Sequence, residues 1–128
     1  MTVYVAASWN AREYARNVTI ALRANGIDCT NNWMDREAIT AAEKMACALS
    51  DLSEVQAANA VLLLNEVESS AGGMQFETGY AYANGKKLFI VGRGPSVFHY
   101  LPGIESFATI QDFMAVHAVK ADCGCGQR

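Results

Sequence analysis

The stretch Ala60-Val61-Leu62-Leu63-Leu64 is apolar at all of its positions. A strand with one face in water alternates polar and apolar residues, whereas a strand of a parallel sheet is covered on both faces and is apolar throughout. The stretches Thr2–Ala7 and Leu88–Val91 have a similar character. These three segments therefore predict the centre of a parallel sheet that has helices on both sides.

Helical segments alternate with the predicted strands. Helices are expected after residue 10 as far as residue 24, over 37–48, from Ser50, over 74–84 and over 112–118, and two short strands over 27–30 and 107–109. This alternation predicts an α/β fold, a three-layer doubly wound parallel sheet of about five strands of the flavodoxin-like or Rossmann-like type.

The bulk composition limits the classes of protein. The 128 residues, of which 52% are hydrophobic, predict a single domain over 1–119 and a flexible tail over 120–128. A net charge of −3 argues against binding a nucleic acid polymer. The start carries no secretion signal and no apolar run is long enough to span a membrane, so we expect a cytoplasmic protein without a membrane partner.

Cys123 and Cys125 are the features that suggest metal or redox chemistry. Their CxC spacing has no matching cysteine or histidine cluster elsewhere in the chain. We therefore interpret them as free thiols in the tail, and expect neither a metal nor a cofactor. His99 and His117 also lack matching partners and are interpreted as structural or surface residues.

Ligands of open parallel sheets bind beyond the carboxyl ends of the strands. The loop 69–73, Ser-Ser-Ala-Gly-Gly, follows the third strand and opens directly into a helix, whose free N–H groups form an anion site. Glu77 lies within the first turn or so of this helix, where the helix dipole favours the ionised carboxylate that a nucleophile requires. An acid at this position can equally be a stabilising helix terminus.

Other candidates fall at the same predicted edge. Asp51 opens a predicted helix, Tyr4 lies in the first strand, and Trp9 and Trp33 occupy loops in which an aromatic ring can stack on a base. Each has an ordinary alternative role: a helix cap for Asp51, core filling for Tyr4, and cover for the sheet edge for the two tryptophans.

Four segments in order carry a family resemblance: Tyr4-Val5-Ala6-Ala7-Ser8, Ser50-Asp51-Leu52 followed by Ala58-Asn59-Ala60-Val61-Leu62, Gly73-Met74-Gln75-Phe76-Glu77-Thr78-Gly79-Tyr80-Ala81, and Asn84-Gly85-Lys86-Lys87. Over residues 2–92 the chain resembles the nucleoside 2-deoxyribosyltransferase family and its nucleotide N-hydrolase relatives. The third segment resembles the signature Gly-x-x-x-Glu-x-Gly-x-Ala of that family.

The resemblance implies an enzyme that cleaves the N-glycosidic bond of a (2′-deoxy)nucleoside or nucleoside 5′-monophosphate and transfers the sugar to water or to another base. Glu77 matches the nucleophile, Asp51 the acid that helps the base leave, and Tyr4 the residue that orients the glutamate. The predicted substrate-binding residues lie in the loops of the ligand edge: Ser8, Trp9, Asn10, Trp33, Ser70, Gly72 and Gly73.

Departures from the family pattern bear on the acceptor of the sugar. Transferases often carry aspartates where Ala71 and Met74 stand here, and Asn59 replaces the usual aspartate before the third strand. These changes favour the hydrolase branch. A non-catalytic nucleotide-binding or sensor domain is the alternative, and a flavodoxin-like electron carrier is a third possibility that the first loop disfavours. The apolar segment Val97–Pro102 and the family resemblance predict a homodimer or higher homo-oligomer.

Overall fold

The computed structural model describes residues 1–66 and 73–118 of the chain, and within them it contains one five-stranded parallel sheet. The strands are β1 (Thr2–Ala6), β2 (Asp28–Cys29), β3 (Ala60–Leu64), β4 (Lys87–Val91) and β5 (Glu105–Phe107). Their spatial order is β2-β1-β3-β4-β5, with every neighbouring pair parallel. The predicted doubly wound α/β fold is confirmed.

Four helices connect or follow the strands. They are α1 (Arg12–Ala24), α2 (Ala41–Ala57), α3 (Gly73–Ala83) and α4 (Ile110–His117), and there are three 3-10 turns at Trp9–Ala11, Trp33–Asp35 and Val97–Tyr100. The chain passes from β1 to β2 on one side, and from β2 it returns past β1 to β3, β4 and β5 on the other side. Because each connection is right-handed, this change of direction puts α1 on one face of the sheet and α2 and α3 on the other.

The prediction of separate helices over 37–48 and from Ser50 is wrong, because α2 is continuous through Ser50. Thr40 caps the helix: its side chain accepts from the Glu43 N–H at 3.1 Å, and the Glu43 carboxylate accepts from the Thr40 N–H at 2.9 Å. This capping box fixes the beginning of α2. Asp51, which was expected at a helix start, therefore lies in the second half of a long helix.

Core side chains lie on both faces of the sheet, and the strand register shows which of them share a face. Leu62 pairs with Phe89 and Leu63 with Ile90, so the first pair faces one layer of helices and the second pair the other. Phe89 packs edge-on against Phe113 of α4, with 5.2 Å between ring centroids. All five residues of β3 are buried, as a parallel strand between two helical layers requires.

Side chains continue the hydrogen bonding of β1 beyond its short partner β2. Asn31 is buried and its Oδ1 accepts from the Val5 N–H at 2.9 Å, while Trp33 Nε1 donates to the Val5 carbonyl at 2.8 Å. Buried backbone groups need such partners. The loop after β2 is thereby held at the carboxyl edge of the sheet.

Smaller differences from the predicted boundaries occur at the last strand. β5 ends at Phe107 instead of beginning there, because Thr109 caps α4 by accepting from the Asp112 N–H at 3.2 Å. Among residues 1–66 and 73–118 the helices are all too short or too polar to cross a membrane. The predicted tail, with Cys123 and Cys125, lies outside the described residues, so the domain limit at residue 119 stays a prediction.

Candidate active site

A cavity of about 160 Å³ lies at the carboxyl edge of the sheet. Its lining combines the loops after β1 and β2, the second half of α2 and the beginning of α3, and consists of Ala7, Ser8, Trp9, Trp33, Asp51, Gly73, Met74 and Glu77. Most of the residues predicted from the sequence meet here. Asn10 does not line this cavity and is exposed in the first 3-10 turn, and Ser70 and Gly72 lie outside the described residues.

Tyr4 connects the first strand to the candidate nucleophile. Its ring is fully buried, and its hydroxyl donates a hydrogen bond of 2.8 Å to Oε2 of Glu77. Burial, followed by the negative charge of Glu77, raises the pKa of Tyr4 above its ordinary range. The phenol is therefore a neutral, permanent donor that fixes one oxygen of Glu77.

Glu77 is the fifth residue of α3 and is half-buried. Burial, together with the nearby charge of Asp51, raises the pKa of Glu77 to about 8, although the Tyr4 hydrogen bond acts in the opposite direction. The expectation that the helix dipole keeps Glu77 ionised is therefore wrong for the free protein. Desolvation outweighs the dipole, because the dipole contributes only about 0.3–1 kcal/mol at a surface site.

Asp51 and Glu77 line the same cavity and lie close enough for each to shift the pKa of the other. Burial raises the pKa of Asp51, but an adjacent arginine, Arg36, opposes this rise. Two carboxyl groups this close do not both ionise readily, so such a pair shares one proton. The pKa of each is raised by burial, and the Arg36 guanidinium opposes the rise only at Asp51, which favours Glu77 as the holder of the proton.

Arg36 is a residue of the site that the sequence did not reveal. It follows the 3-10 turn Trp33–Asp35, and its Nη2 donates to Asp51 Oδ1 at 2.6 Å. The same guanidinium donates to both oxygens of Glu54, at 2.8 and 3.1 Å. Asp51 and Glu54 are spaced three residues apart on α2, which is a signal for a shared cation that the sequence did contain.

The first loop contributes polar and aromatic groups to the cavity wall. Ser8 is buried, and its Oγ has no hydrogen-bond partner among the residues that the structure describes. Trp9 is 40% exposed with its ring centroid 6.4 Å from that of Trp33, and the Arg12 guanidinium lies 4.5 Å above the Trp9 ring. Trp33, by contrast, is buried, so Trp9 is the ring that a planar ligand can reach.

The fold and site together define a class: a doubly wound α/β domain with a tyrosine-held pair of carboxyl groups at its ligand edge. Residues 3–115 match the family model described as nucleoside 2-deoxyribosyltransferase. The chain belongs to this family, whose members are nucleoside deoxyribosyltransferases and N-glycosidases, and the resemblance found in the sequence is confirmed. No curated protein matches the chain in sequence.

Two solved structures have a similar fold. One is the CMP N-glycosidase BcmB of Clostridium botulinum, with a TM-score of 0.60 and 15% identity over 91% of this chain and 97% of that one. The other is a 2-desoxiribosyltransferase from Leishmania mexicana, with a TM-score of 0.56 and 22% identity over 81% of this chain and 76% of that one. At these identities the likeness concerns the fold.

Proposed function

We propose that the protein cleaves the N-glycosidic bond of a (2′-deoxy)nucleoside or nucleoside 5′-monophosphate, with Glu77 as nucleophile and water as the preferred acceptor of the sugar. The observation that carries this proposal is that Asp51 and Glu77 line one cavity, with Glu77 held from the core by the Tyr4 hydroxyl. Three residues from separate elements converge here, and a purely structural role requires no such convergence.

The single proton of the carboxyl pair suits the first half of the reaction. In the free enzyme Glu77 is protonated and Asp51 is ionised. When substrate binds, the proton passes from Glu77 to Asp51 and then to the base nitrogen as the C1′–N bond breaks. The Glu77 carboxylate released in this way forms a bond to C1′, while Tyr4 steadies its other oxygen.

The second half returns the pair to its starting state. Water attacks C1′, the ester bond to Glu77 breaks, and Asp51 accepts the proton of the water and passes it back to the released Glu77 carboxylate. The mutual effect of the two carboxyl groups on their pKa values supports a short separation between them, and the covalent route requires about 5–5.5 Å, whereas an inverting mechanism requires about 6.5–9.5 Å for a water molecule. When a second base replaces water, the same steps produce a new nucleoside.

The substrate class is supported by the first loop. The Ser8 Oγ, which has no partner within residues 1–66 and 73–118, can donate to a sugar hydroxyl or a 5′-phosphate. Arg12 supplies a nearby positive charge, and Trp9 offers a face for the base. BcmB acts on CMP, so CMP and dCMP are the first nucleotides to test. Met74 and Ala71, in place of the aspartates of transferases, favour water as acceptor.

The experiment incubates the protein with a panel of nucleosides, deoxynucleosides and their 5′-monophosphates and measures the free base by chromatography. Base release is expected from the parent, and a loss of at least about a thousandfold from the Glu77→Ala variant. The matched control is Glu105→Ala, an exposed glutamate at the far edge of the sheet. Equal base release by the parent and Glu77→Ala contradicts the proposal.

Two further readouts separate the alternatives. A new nucleoside after addition of a second free base identifies a transferase, whereas free sugar alone identifies a hydrolase. Thermal stabilisation by a nucleotide without any base release, retained in Glu77→Gln, identifies the non-catalytic binding domain instead.

We also propose that the protein is a homodimer, joined through the face of α3 that points away from the candidate site. The β4–β5 connection has only the 3-10 turn Val97–Tyr100 where a helix can cover the sheet, which leaves a mainly apolar cavity of about 540 Å³ between α3 and this turn. Four exposed aromatic residues lie on α3 and this turn; Tyr82 and Phe98 line the second cavity, and Phe76 and Tyr100 belong to the same two elements.

The area of this face fits a second copy of the chain. With about 200 Å² for each ring, the exposed fractions of the four aromatics sum to roughly 500 Å², against about 800 Å² for each partner of a stable interface. A face that has both protruding rings and a recess can pair with itself about a twofold axis.

Sedimentation at micromolar concentration tests the dimer. The parent is expected to be dimeric and Phe98→Asp monomeric, whereas Ile20→Asp, at an exposed site on α1 across the sheet, stays dimeric. A monomeric parent contradicts the proposal.

A further inference from the structure

The guanidinium of Arg36 bridges two carboxylates of α2. Its Nη2 lies 2.6 Å from Asp51 Oδ1, and its Nη1 lies 2.8 Å from Glu54 Oε2. The three side chains are between 20% and 24% exposed, so water screens this network only in part. A planar guanidinium with several donors can hold two carboxylates at once, which an ammonium group cannot do in a fixed geometry.

Glu54 anchors this network to the loop after β2. Its Oε1 accepts from the Asn32 N–H at 2.9 Å, and its backbone carbonyl accepts from the Thr30 hydroxyl at 2.7 Å. Arg36 itself belongs to the same loop. The guanidinium is therefore fixed from the loop side, and the orientation of Asp51 depends on a group that cannot easily move.

Acidic groups outnumber basic groups around the candidate site. Five ionisable groups face this space: Tyr4 from β1, Asp51 and Glu54 from α2, Glu77 from α3 and Arg36 from the loop after β2. Arg36 is the one cation among these five groups. Without it, three carboxyl groups share a partly buried space, and repulsion draws additional protons onto them.

We propose that Arg36 is a positioning residue that holds Asp51 ionised and turned towards Glu77, so that the carboxyl pair carries a single proton. This inference rests on the proposed function for its catalytic consequence. Arg36 Nη2 occupies Oδ1 of Asp51. In this scheme the other oxygen, Oδ2, exchanges the proton with Glu77. Arg36 does not touch the substrate in this scheme and acts only through Asp51.

Removal of the cation changes the number of protons at the pair. In Arg36→Met, Asp51 loses its counter-charge, and the pair is expected to take up a second proton at a pH about one unit or more higher than in the parent. A doubly protonated pair cannot release the Glu77 carboxylate, so we expect kcat to fall about a hundredfold, with a smaller change in KM.

The test combines infrared spectroscopy with kinetics. The carbonyl stretch of protonated carboxyl groups is followed across a pH titration in the parent, Arg36→Met and Arg36→Lys, with Asp51→Asn and Glu77→Gln assigning the bands. The parent is expected to show one protonated carboxyl group of the pair at neutral pH. Arg36→Met gains the second at higher pH than the parent does, and Arg36→Lys lies between the two.

Controls separate this role from the anchoring of the loop. Glu54→Gln keeps hydrogen-bonding groups beside Arg36 and Asn32, so it is expected to retain the single proton at neutral pH. An unchanged infrared titration in folded Arg36→Lys and Arg36→Met overturns the proposal. If Arg36→Met does not fold, the infrared titration of Arg36→Lys alone tests the proposal. Base release by the parent is a separate measurement, so a protein that shifts its titration yet releases no base contradicts the proposed function alone.

Discussion

Replacement of Glu77 by glutamine is expected to stabilise the protein, and to do so only as the pH rises. The folded protein keeps a proton on Glu77 up to a pKa of about 8, against an ordinary value of 4.5. Between these two values the unfolded chain has released a proton that the folded chain still holds. The free energy of unfolding of the parent therefore decreases as the pH rises through this window.

The pKa values give the size of the effect. At about 1.36 kcal/mol for each pKa unit, the interval from 4.5 to about 8 corresponds to an upper limit of about 5 kcal/mol. Glu77 is half-buried and its surroundings can relax, so we expect about 2 kcal/mol of this limit to be observed. Glutamine resembles the protonated acid: it can still accept from Tyr4 and donate to Asp51, which predicts near-equal stability of variant and parent at about pH 5.

Urea unfolding of the parent and of Glu77→Gln, across the range from about pH 5 to about pH 8.5, measures this difference. Glu37→Gln, which removes an exposed carboxylate, serves as control and is expected to show a constant offset. The reasoning is refuted if the stability difference between Glu77→Gln and the parent is independent of pH, because Glu77 then has the same charge in the folded and unfolded states.

Four other outcomes follow from the same geometry. The pH profile of kcat/KM is expected to be bell-shaped with its alkaline limb near 8, where the pair loses its proton; a rate that keeps rising above this pH contradicts a one-proton pair. Tyr4→Phe removes the 2.8 Å hydrogen bond to Glu77, so the alkaline limb moves to higher pH and kcat falls about tenfold or more, as steady-state kinetics on the same substrate will measure. Trp9→Ala is expected to raise KM about tenfold by removing a stacking surface, with unchanged circular dichroism because the ring is 40% exposed. Asn31→Ala leaves the Val5 N–H without its partner and is expected to lower the free energy of unfolding by about 2 kcal/mol, measured with urea, whereas Asn32→Ala at the exposed neighbouring position costs less.

The sheet could be predicted from the sequence because its signal is local. β3 is found at Ala60–Leu64 as predicted, since a strand that both helical layers cover must be apolar throughout. The beginning of α2 was missed for a related reason. Ser50 and Asp51 resemble a helix start, but helix formers on both sides carry the helix through them, and Thr40 with Glu43 supplies the real cap.

The location of the candidate site could be predicted, because it follows from the topology of the sheet. The carboxyl ends of parallel strands share one edge, and this rule brought Ser8, Trp33 and Glu77 to the same cavity before any coordinates. The charge state was not predictable in this way. Whether Glu77 is ionised depends on its burial and on the distance to Asp51, and both quantities result from packing between helices that are distant in sequence.

Arg36 shows how far such non-local contacts alter the chemistry. A helix-terminal position alone favours an ionised Glu77, yet contact with Asp51 and burial reverse this preference. Because Arg36 supplies a positive charge to Asp51 and has no hydrogen bond to Glu77 among the described residues, it makes the two acids unequal, and in the proposed mechanism it leaves the proton on Glu77. A nucleophile that is protonated at rest is also protected from the cost of a bare carboxylate in a partly dry cavity. In the proposed reaction the substrate then completes the site by accepting the proton, which would link the breaking of the glycosidic bond to the activation of Glu77.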